Sequence, residues 1–200
     1  MPPKAKYTRE EIVQIALELV SEKGIEALNA RNLGAALGTS TRPVFTAFRN
    51  MKELSDEVKA AAMRKFDEYA DGGSDNVMPA FKNIGMQMIL FATEQPKLFQ
   101  LLFMSENDRT VSFDKLNSRL GSTGERCITL TMKDYALTRE EAELLFRNMW
   151  LYTFGIGVLI ASKVCRYDEE EVSSLLSTQF MAIMTLIKSP PDFEKLMAGE

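Results

Sequence analysis

The chain has 200 residues, of which 46% are hydrophobic and 26% are charged, and its formal net charge is −4. This length and composition are typical of a globular protein with one or two domains and a substantial core. The chain contains no histidine and only two cysteines, Cys127 and Cys165. This composition excludes an ordinary zinc site and catalysis by histidine, so we expect no metal and no cofactor.

The sequence gives no sign of a membrane segment or of export. The N-terminus has no apolar targeting run, and the longest apolar stretch, Met149 to Ala161, is too short to cross a bilayer. We therefore expect the cysteines to be reduced thiols in a cytoplasmic protein that has no membrane partner.

Helical periodicity occurs along almost the whole chain, and we find no alternating strand pattern or Asn-Gly hairpin. The sequence therefore predicts an all-α fold with eight to ten helices. Several of these predicted helices begin at a residue whose side chain can cap the helix: Thr8, Asn29, Ser40, Asn50, Thr138 and Asp168. Gly24 is predicted to end the first helix, because a helix C-terminus favours a left-handed residue.

Residues 71–75, Asp-Gly-Gly-Ser-Asp, are the clearest linker candidate. Beyond them, helices are predicted over residues 76–94, 97–104 and 110–135, the last being one kinked helix or two. Two longer helices are predicted from Thr138 to about Val164 and from Asp168 to just before Pro190.

Residues 27–52 form a basic segment in an acidic protein. They contain no acid and four cations, namely Arg31, Arg42, Arg49 and Lys52. Residues 1–60 carry nine bases and eight acids, whereas residues 61–200 carry fifteen bases and twenty acids. The positive charge is therefore confined to a local surface in the N-terminal part. The segment has the pattern of two short helices around Gly38-Thr39-Ser40, which predicts a helix-turn-helix that meets DNA phosphates.

Two rows of side chains separate on a 3.6-residue period in the second of these helices. Val44, Ala47, Phe48 and Met51 are predicted to pack inward, and Arg42, Phe45, Thr46 and Arg49 to face outward. The side chains at its N-terminus are predicted to contact base edges in the major groove: Thr41, Arg42, Pro43 and Thr46. Arg31 and Lys52 lie in first turns of helices and are predicted to bind phosphate. The alternative is an ordinary amphipathic helix pair whose arginines are solvated.

The run from Ala27 to Leu54 and the preceding pattern from Thr8 to Gly24 closely resemble the TetR/AcrR family of bacterial transcriptional regulators. The resemblance is strong over residues of about 8–60 and is one of architecture beyond them. It implies a homodimer that binds a palindromic double-stranded DNA operator and usually represses until a small effector binds. It also implies that Ser40, Thr41, Arg42, Phe45, Thr46 and Lys52 face the DNA.

The family commonly has tyrosine at the position of Phe45, and its hydroxyl often contacts a phosphate, so this hydrogen bond is missing here. The complete predicted DNA-binding set is Arg31, Thr39, Ser40, Thr41, Arg42, Pro43, Phe45, Thr46, Arg49 and Lys52. The predicted domains are a helix-turn-helix domain over residues 1–54 and a helical effector-binding and dimerisation domain over residues 55–200. A helix over residues 51–71 bridges the two.

Methionine and aromatic side chains are frequent in the C-terminal part, where they can line an adaptable apolar pocket. The predicted pocket residues are Met88, Phe91, Phe99, Phe103, Met104, Met149, Trp150, Tyr152 and Phe154. The alternative is that these side chains are ordinary core packing.

The last two long helices are predicted to form the dimer interface, because both have wide apolar faces. The predicted interface residues are Gly155, Val158, Leu159, Val172, Leu175, Leu176, Phe180, Ile183, Met184 and Ile187. Gly155 and Gly157 would let another backbone approach closely. The resemblance implies the same answer, a four-helix bundle with two helices from each subunit. The alternative is that both helices are internal core.

Together with the resemblance, the sequence predicts a ligand-responsive transcriptional regulator and not an enzyme. The resemblance implies a homodimeric repressor, which a small, largely apolar molecule would release from its operator. One alternative is a helical small-molecule-binding dimer whose DNA-binding role is weakened or lost. Another is an enzyme that uses carboxylates such as Glu169, Glu170 and Glu171, although acids at that position also stabilise a helix N-terminus.

Overall fold

The computed structural model describes residues 7–72, 79–105 and 122–189. These ranges contain helices and no strand, which confirms the predicted all-α class. The helices are α1 (Arg9–Lys23), α2 (Ala30–Ala36), α3 (Arg42–Ala47), α4 (Met51–Asp71), α5 (Ala80–Glu94), α6 (Pro96–Phe99), α7 (Ser122–Tyr135), α8 (Arg139–Ala161) and α9 (Glu169–Lys188). A short 3₁₀ turn, Ile25–Ala27, follows α1, and a π-helical turn, Gln100–Met104, extends α6.

Side-chain caps begin most of these helices where the sequence predicted them. Reciprocal capping boxes join Thr8 to Glu11, Thr138 to Glu141 and Asp168 to Glu171. The side chains of Asn29 and Asn50 accept hydrogen bonds from backbone N–H groups in the first turns of α2 and α4. Each such cap contributes roughly 1 kcal/mol of stability, so these boundaries are fixed locally. The predicted helix starts at these positions are confirmed.

The prediction that Ser40 caps α3 is wrong. Thr41 occupies the N-cap position, with no side-chain cap, and Ser40 Oγ only accepts a 3.4 Å hydrogen bond from the Arg42 N–H. Pro43 has no N–H to satisfy, and the Val44 N–H donates to the Thr41 carbonyl at 3.1 Å. The first turn therefore needs little capping.

Two other boundaries differ from the predictions. Helix α3 ends at Ala47, because Phe48 has extended backbone angles, so Arg49 and Met51 are not on this helix. Helix α8 ends at Ala161 rather than near Val164, because Lys163 adopts a positive φ of 59°. The predicted helical segments at residues 76–78 and 110–121 lie outside the described residues, as does the linker from residue 73 onward.

Helix α8 is the centre of the C-terminal part. It packs against α5, α6, α7 and α9, while α5 also packs against α4. By length and composition alone, α8 could cross a membrane, but 44% of its most apolar window is buried within this chain. The buried core helix of a soluble protein has the same composition, so this feature does not by itself indicate a membrane.

The N-terminal helices rest directly on the C-terminal part. Helix α1 packs against both α4 and α6, and Ser21 Oγ donates a 2.8 Å hydrogen bond to Gln95 Oε1. A single hydrophobic core extends from α1 to α9. The division into domains at residue 54 stays a prediction, because packing is continuous across it.

Gly157 allows a close approach within the chain. A Cβ added there would lie 2.6 Å from Phe99 Cζ, which is closer than any ordinary contact. The space at Gly157 is therefore occupied by the side chain of Phe99 of the same subunit rather than by another backbone. Gly155 is exposed, and a Cβ added there would have no neighbour within 4 Å in the single chain.

Candidate nucleic-acid interface and ligand cavity

The turn between α2 and α3 is held by backbone hydrogen bonds. The Thr39 N–H donates to the Gly34 carbonyl and the Gly38 N–H to the Ala35 carbonyl, each at 3.0 Å. Gly38 has a φ of 60°, which favours glycine at this position of a helix end. A Cβ at Gly34 would lie 3.3 Å from backbone atoms of the turn, so the turn packs tightly against α2.

The inner side of the helix-turn-helix is well packed. Val44 is 1% exposed and Phe48 is 2% exposed, in contact with a core that includes Leu33 and Leu37. Phe48 is buried although it follows the helix, because the extended backbone still directs its ring inward. Burial of this row fixes which side of α3 faces solvent.

The opposite side of α3 is exposed. Arg42 and Thr46 are exposed, and Phe45 exposes 52% of its surface. The Thr46 hydroxyl donates to the Arg42 carbonyl at 2.9 Å and keeps acceptor capacity toward solvent. Exposed cationic and polar groups at the N-terminus of a short helix are the arrangement that the major groove accepts.

The other predicted DNA-binding residues surround this row. Arg31, Ser40, Arg49 and Lys52 are exposed, whereas Thr39, Thr41 and Pro43 are half-buried. Arg49 lies after α3 and not on it, and with Lys52 it borders a shallow surface groove. The structure therefore brings the set to one region, while the role of each residue stays a prediction.

Sequence reasoning missed a clamp formed by Arg9. Its guanidinium lies 4.2 Å from the centroid of the Phe48 ring, and Nη1 donates to the Ala47 carbonyl at 2.8 Å. Nη2 lies 2.9 Å from Glu53 Oε1 and 2.9 Å from Glu57 Oε1. One arginine thus ties α1 to the end of α3 and to α4 and forms ion pairs with two acids next to the basic segment.

The pKa values of two residues in the clamp, Glu53 and Arg9, are shifted. Hydrogen bonds from the Arg49 backbone N–H and from Arg9 lower the pKa of Glu53. Hydrogen bonds to Glu57 and Glu53 raise the pKa of Arg9. Arg9 is distant in sequence from Glu53 and Glu57, and only their opposite charges could have indicated these contacts.

A cavity of about 280 Å³ lies among α4, α5, α7, α8 and α9. Most of its wall is apolar. The lining residues are Phe66, Pro79, Phe81, Lys82, Ile84, Gly85, Met88, Thr123, Gly124, Cys127, Tyr135, Phe146, Met149, Trp150, Thr153, Leu176, Ser177, Phe180 and Met181. Three predicted pocket residues, Met88, Met149 and Trp150, are among them.

Most of the remaining predicted pocket residues form an aromatic cluster beside the cavity. Phe66 makes edge contacts with Phe91 and Phe103, and Phe99 contacts both Phe103 and Phe154, with ring centroids 5.0–6.2 Å apart. Trp150 stacks on Phe154 at 5.0 Å, so it belongs to both the cavity wall and this cluster. Met104 is 39% exposed and Tyr152 is half-buried, and neither lines the cavity. Sequence periodicity could not distinguish wall from core, because both are apolar.

The predicted dimer residues differ in burial within the single chain, and some of them line the cavity. Val172, Leu176 and Ile183 are buried within the single chain, so they cannot supply contact area to a partner, and Leu176 and Phe180 line the cavity. The half-buried members are Val158, Leu159, Leu175, Phe180, Met184 and Ile187, and Gly155 is exposed. The exposed large apolar side chains of α8 and α9 are Leu144, Leu151, Met181 and Leu186.

No family-wide sequence profile matches the chain. The HTH-type transcriptional repressor DrrR1 of Streptomyces coeruleorubidus is 25% identical over 99 residues, which are 50% of this chain and 37% of that protein. The chain thus matches little more than a third of this relative's length.

Solved structures with a similar fold cover most of this chain. A TetR-family member from Streptomyces coelicolor A3 superposes with a TM-score of 0.61 and 16% identity, covering 86% of this chain and 96% of that one. A TetR-like transcriptional regulator from Rhodococcus sp. RHA1 superposes with a TM-score of 0.63 and 14% identity, covering 88% of this chain and 96% of that one. At such identities the likeness establishes the fold.

Proposed function

We propose that this chain, which has the fold of TetR-family regulators, is a DNA-binding transcriptional regulator. The observation that carries the proposal is the exposed row of Arg42, Phe45 and Thr46 on a helix whose other face is buried. This row lies in a segment without acids, in a protein whose net charge is negative. We further propose that the protein is a homodimeric repressor that a small, largely apolar molecule releases from its operator.

In this proposal α3 enters the major groove. The helix has six residues and is about 9 Å long, so its N-terminal side chains reach base edges before the rest of the domain meets the backbone. Arg42 can donate two hydrogen bonds to guanine, and Pro43 offers an apolar surface to a thymine methyl. Arg31 and Lys52 lie in first turns, where free N–H groups add to the attraction of phosphate.

Helix α4 provides the proposed route from cavity to DNA. Phe66 lines the cavity and Lys52 lies in the first turn of the same helix, about 21 Å away along the helix axis. A ligand that displaced Phe66 would tilt this rigid helix and change the separation of two recognition helices. These must match half-sites about 34–36 Å apart. The ligand must bind the two conformers with different affinities for this to occur.

The proposed dimer places a second copy of the chain on α8 and α9. Leu144 and Leu151 on α8, and Met181 and Leu186 on α9, expose between 45% and 61% of their surface in the single chain. Large exposed apolar side chains on two long helices favour a protein partner, and a palindromic operator requires two recognition helices. We therefore assign the interface to these exposed faces rather than to the buried residues of the same helices.

The test is a mobility-shift or footprinting assay on the DNA upstream of the protein's own gene. Wild type should protect a palindromic site, and Arg42→Ala should bind about 5- to 150-fold more weakly, as expected for a lost base contact of about 1–3 kcal/mol. Arg166→Ala is the matched control, because Arg166 is exposed but lies beyond α8. Equal binding by wild type and Arg42→Ala would contradict the proposed role of α3.

A helical ligand-binding dimer without a DNA role is the second candidate. Phe45 favours it, since an exposed ring without a hydroxyl cannot donate to a phosphate. Under this alternative no specific DNA site would be protected, while a ligand would still bind in the cavity. The two functions therefore differ in the outcome of the same assay.

A further inference from the structure

We infer that the cavity binds an amphipathic anion, whose acidic group pairs with Lys82 and whose apolar part fills the space between α5, α7 and α8. The inference deepens the proposed function, on which it rests for the regulatory meaning of the cavity. The cavity and its polar groups stand independently of DNA binding.

Lys82 is the cation in the cavity wall. Its Nζ donates hydrogen bonds to Ser173 Oγ at 2.7 Å and to Ser177 Oγ at 2.8 Å. Both acceptors are neutral hydroxyls, and an ammonium group has three donors, so one N–H has no hydrogen-bond partner among the described residues. Within residues 7–72, 79–105 and 122–189, no carboxylate forms an ion pair with this lysine.

The start of α5 adds to this positive potential. Lys82 is the third residue of α5, and Pro79, Phe81 and Lys82 all line the cavity. Pro79 occupies the N-cap without a side-chain cap, and among the described residues the Asn83 N–H is the first in α5 to bond back, to the Pro79 carbonyl at 3.0 Å. Free N–H groups and the helix dipole favour an anion at this place.

Thr153 supplies an independent observation. It is 4% exposed, lines the cavity, and its hydroxyl has no hydrogen-bond partner among the residues that the structure describes. A buried hydroxyl without a partner is unfavourable, so a ligand oxygen would satisfy it. A Cβ at Gly85 would lie 3.9 Å from Thr153 Oγ1, and Gly85 is one turn from Lys82, about 4.5 Å along α5. Thr153 therefore faces the side of α5 that also carries Lys82.

The rest of the wall suits a hydrocarbon body. Burial raises the pKa of the Cys127 thiol to about 12, so this wall residue is a neutral, weakly polar group. Phe81, Met88 and Met149 are also buried in the wall. The volume of about 280 Å³ is at the lower end of ligand pockets, which favours a medium-chain or single-ring acid over a large ligand.

The experiment measures binding to the full chain without DNA, by titration calorimetry at neutral pH. The probes are decanoate and 4-phenylbutyrate, each compared with the alcohol of the same carbon skeleton. At least one acid should bind tenfold or more tightly than its alcohol to wild type. Lys82→Met should abolish this preference and keep binding of the alcohol, and Thr153→Val should weaken binding of the acid several-fold. Lys133→Met, at an exposed lysine of α7, should behave as wild type.

Lys82→Gln repeats the test if Lys82→Met does not fold, as judged by circular dichroism. The inference is overturned if acid and alcohol bind equally, if the preference survives loss of the lysine charge, or if no probe binds. Adding the preferred acid to a protein–DNA complex separates the two proposals. Binding of the acid without release of DNA would contradict the regulatory function and leave the ligand class intact.

Discussion

Phe45 exposes 52% of its surface on the outer row of α3, and its ring has no hydrogen-bond donor. A tyrosine there would keep the apolar contact and add a hydroxyl that can donate to a phosphate. Phe45→Tyr should therefore strengthen DNA binding by about 2- to 10-fold, the effect of one hydrogen bond of about 0.5–1.5 kcal/mol. Titration of the upstream DNA at fixed salt measures this. Weaker binding by the variant would mean that the ring packs against an apolar part of the DNA.

Gly157 tests the packing of α8 against α6. Gly157→Ala places a methyl group 2.6 Å from Phe99 Cζ, and Phe99 is fully buried, so the ring cannot move freely. The free energy of unfolding should fall by about 1–3 kcal/mol, as for other overpacked cores. Chemical denaturation measures the loss. An unchanged free energy of unfolding would mean that Phe99 has room to move.

A rescue variant controls for the glycine change itself. Phe99→Leu shortens the side chain that Gly157 contacts, so the double variant should lose less stability than the two single losses added together. Simple additivity would indicate that the two residues do not interact.

Single residues show where prediction from sequence succeeds and where it fails. The capping side chains Thr8, Thr138 and Asp168 could be predicted because each acts on a backbone N–H three residues away. The contacts of Arg9 with Glu53 and Glu57 could not, since they span 44 and 48 residues and depend on how α1 packs against α4.

At the scale of elements, the Arg9 clamp sets how α3 is presented. Arg9→Met should keep some packing on Phe48 and lose the ion pairs with α4. We expect weaker DNA binding although Arg9 is not among the predicted DNA-contacting residues, because α3 would be held less rigidly. The measurement is the DNA affinity of Arg9→Met at several salt concentrations, and it should be lower than that of wild type at each of them. An affinity equal to that of wild type would show that the clamp does not position α3.

The pH dependence of stability provides a second test of the clamp. The folded-state pKa of Glu53 is lowered by hydrogen bonds from the Arg49 backbone and from Arg9. Its contribution is therefore present above the unfolded pKa of about 4.3, and is lost as pH falls through the lower folded value. Glu53→Gln should be less stable than wild type at pH 7, and the difference should shrink as the solution becomes acidic.

Glu141 provides the matched comparison. Hydrogen bonds from Thr138 lower the pKa of Glu141 in the same direction, at the start of α8 and away from α3. Glu141→Gln should show the same pH dependence of stability with unchanged DNA binding. Glu53→Gln should also reduce DNA affinity. A difference between Glu53→Gln and wild type that does not change with pH would contradict this ionisation.

The elements also show the limits of periodicity. The inward row at Val44 and Phe48 was predicted, but the end of α3 at Ala47 was not, because the change to extended backbone at Phe48 depends on tertiary packing. In the same way, α9 has an apolar face in the sequence, and only the packing of α5 and α8 shows that Val172 and Leu176 point into the chain's own core.

At the scale of the whole molecule, the proposed dimer depends on exposed rather than buried positions. Leu151 is 51% exposed on α8, so Leu151→Glu should leave the subunit folded and shift the dimer toward monomer, by removing apolar contact area and introducing a charge. Sedimentation equilibrium measures this. Val164→Glu is the matched control, because Val164 is 68% exposed beyond the end of α8. A Leu151→Glu protein that remains dimeric would contradict this interface.

DNA binding by the basic surface around α3 is tested by the affinity for the upstream DNA as a function of salt, for wild type and for Arg31→Ala. The binding constant of wild type should fall steeply with salt, because cations released from the phosphates accompany binding. Loss of Arg31, an exposed cation in the first turn of α2, should weaken binding to all sequences and reduce the salt slope by about 1. No measurable affinity at low salt, or an affinity independent of salt, would contradict DNA binding by this surface.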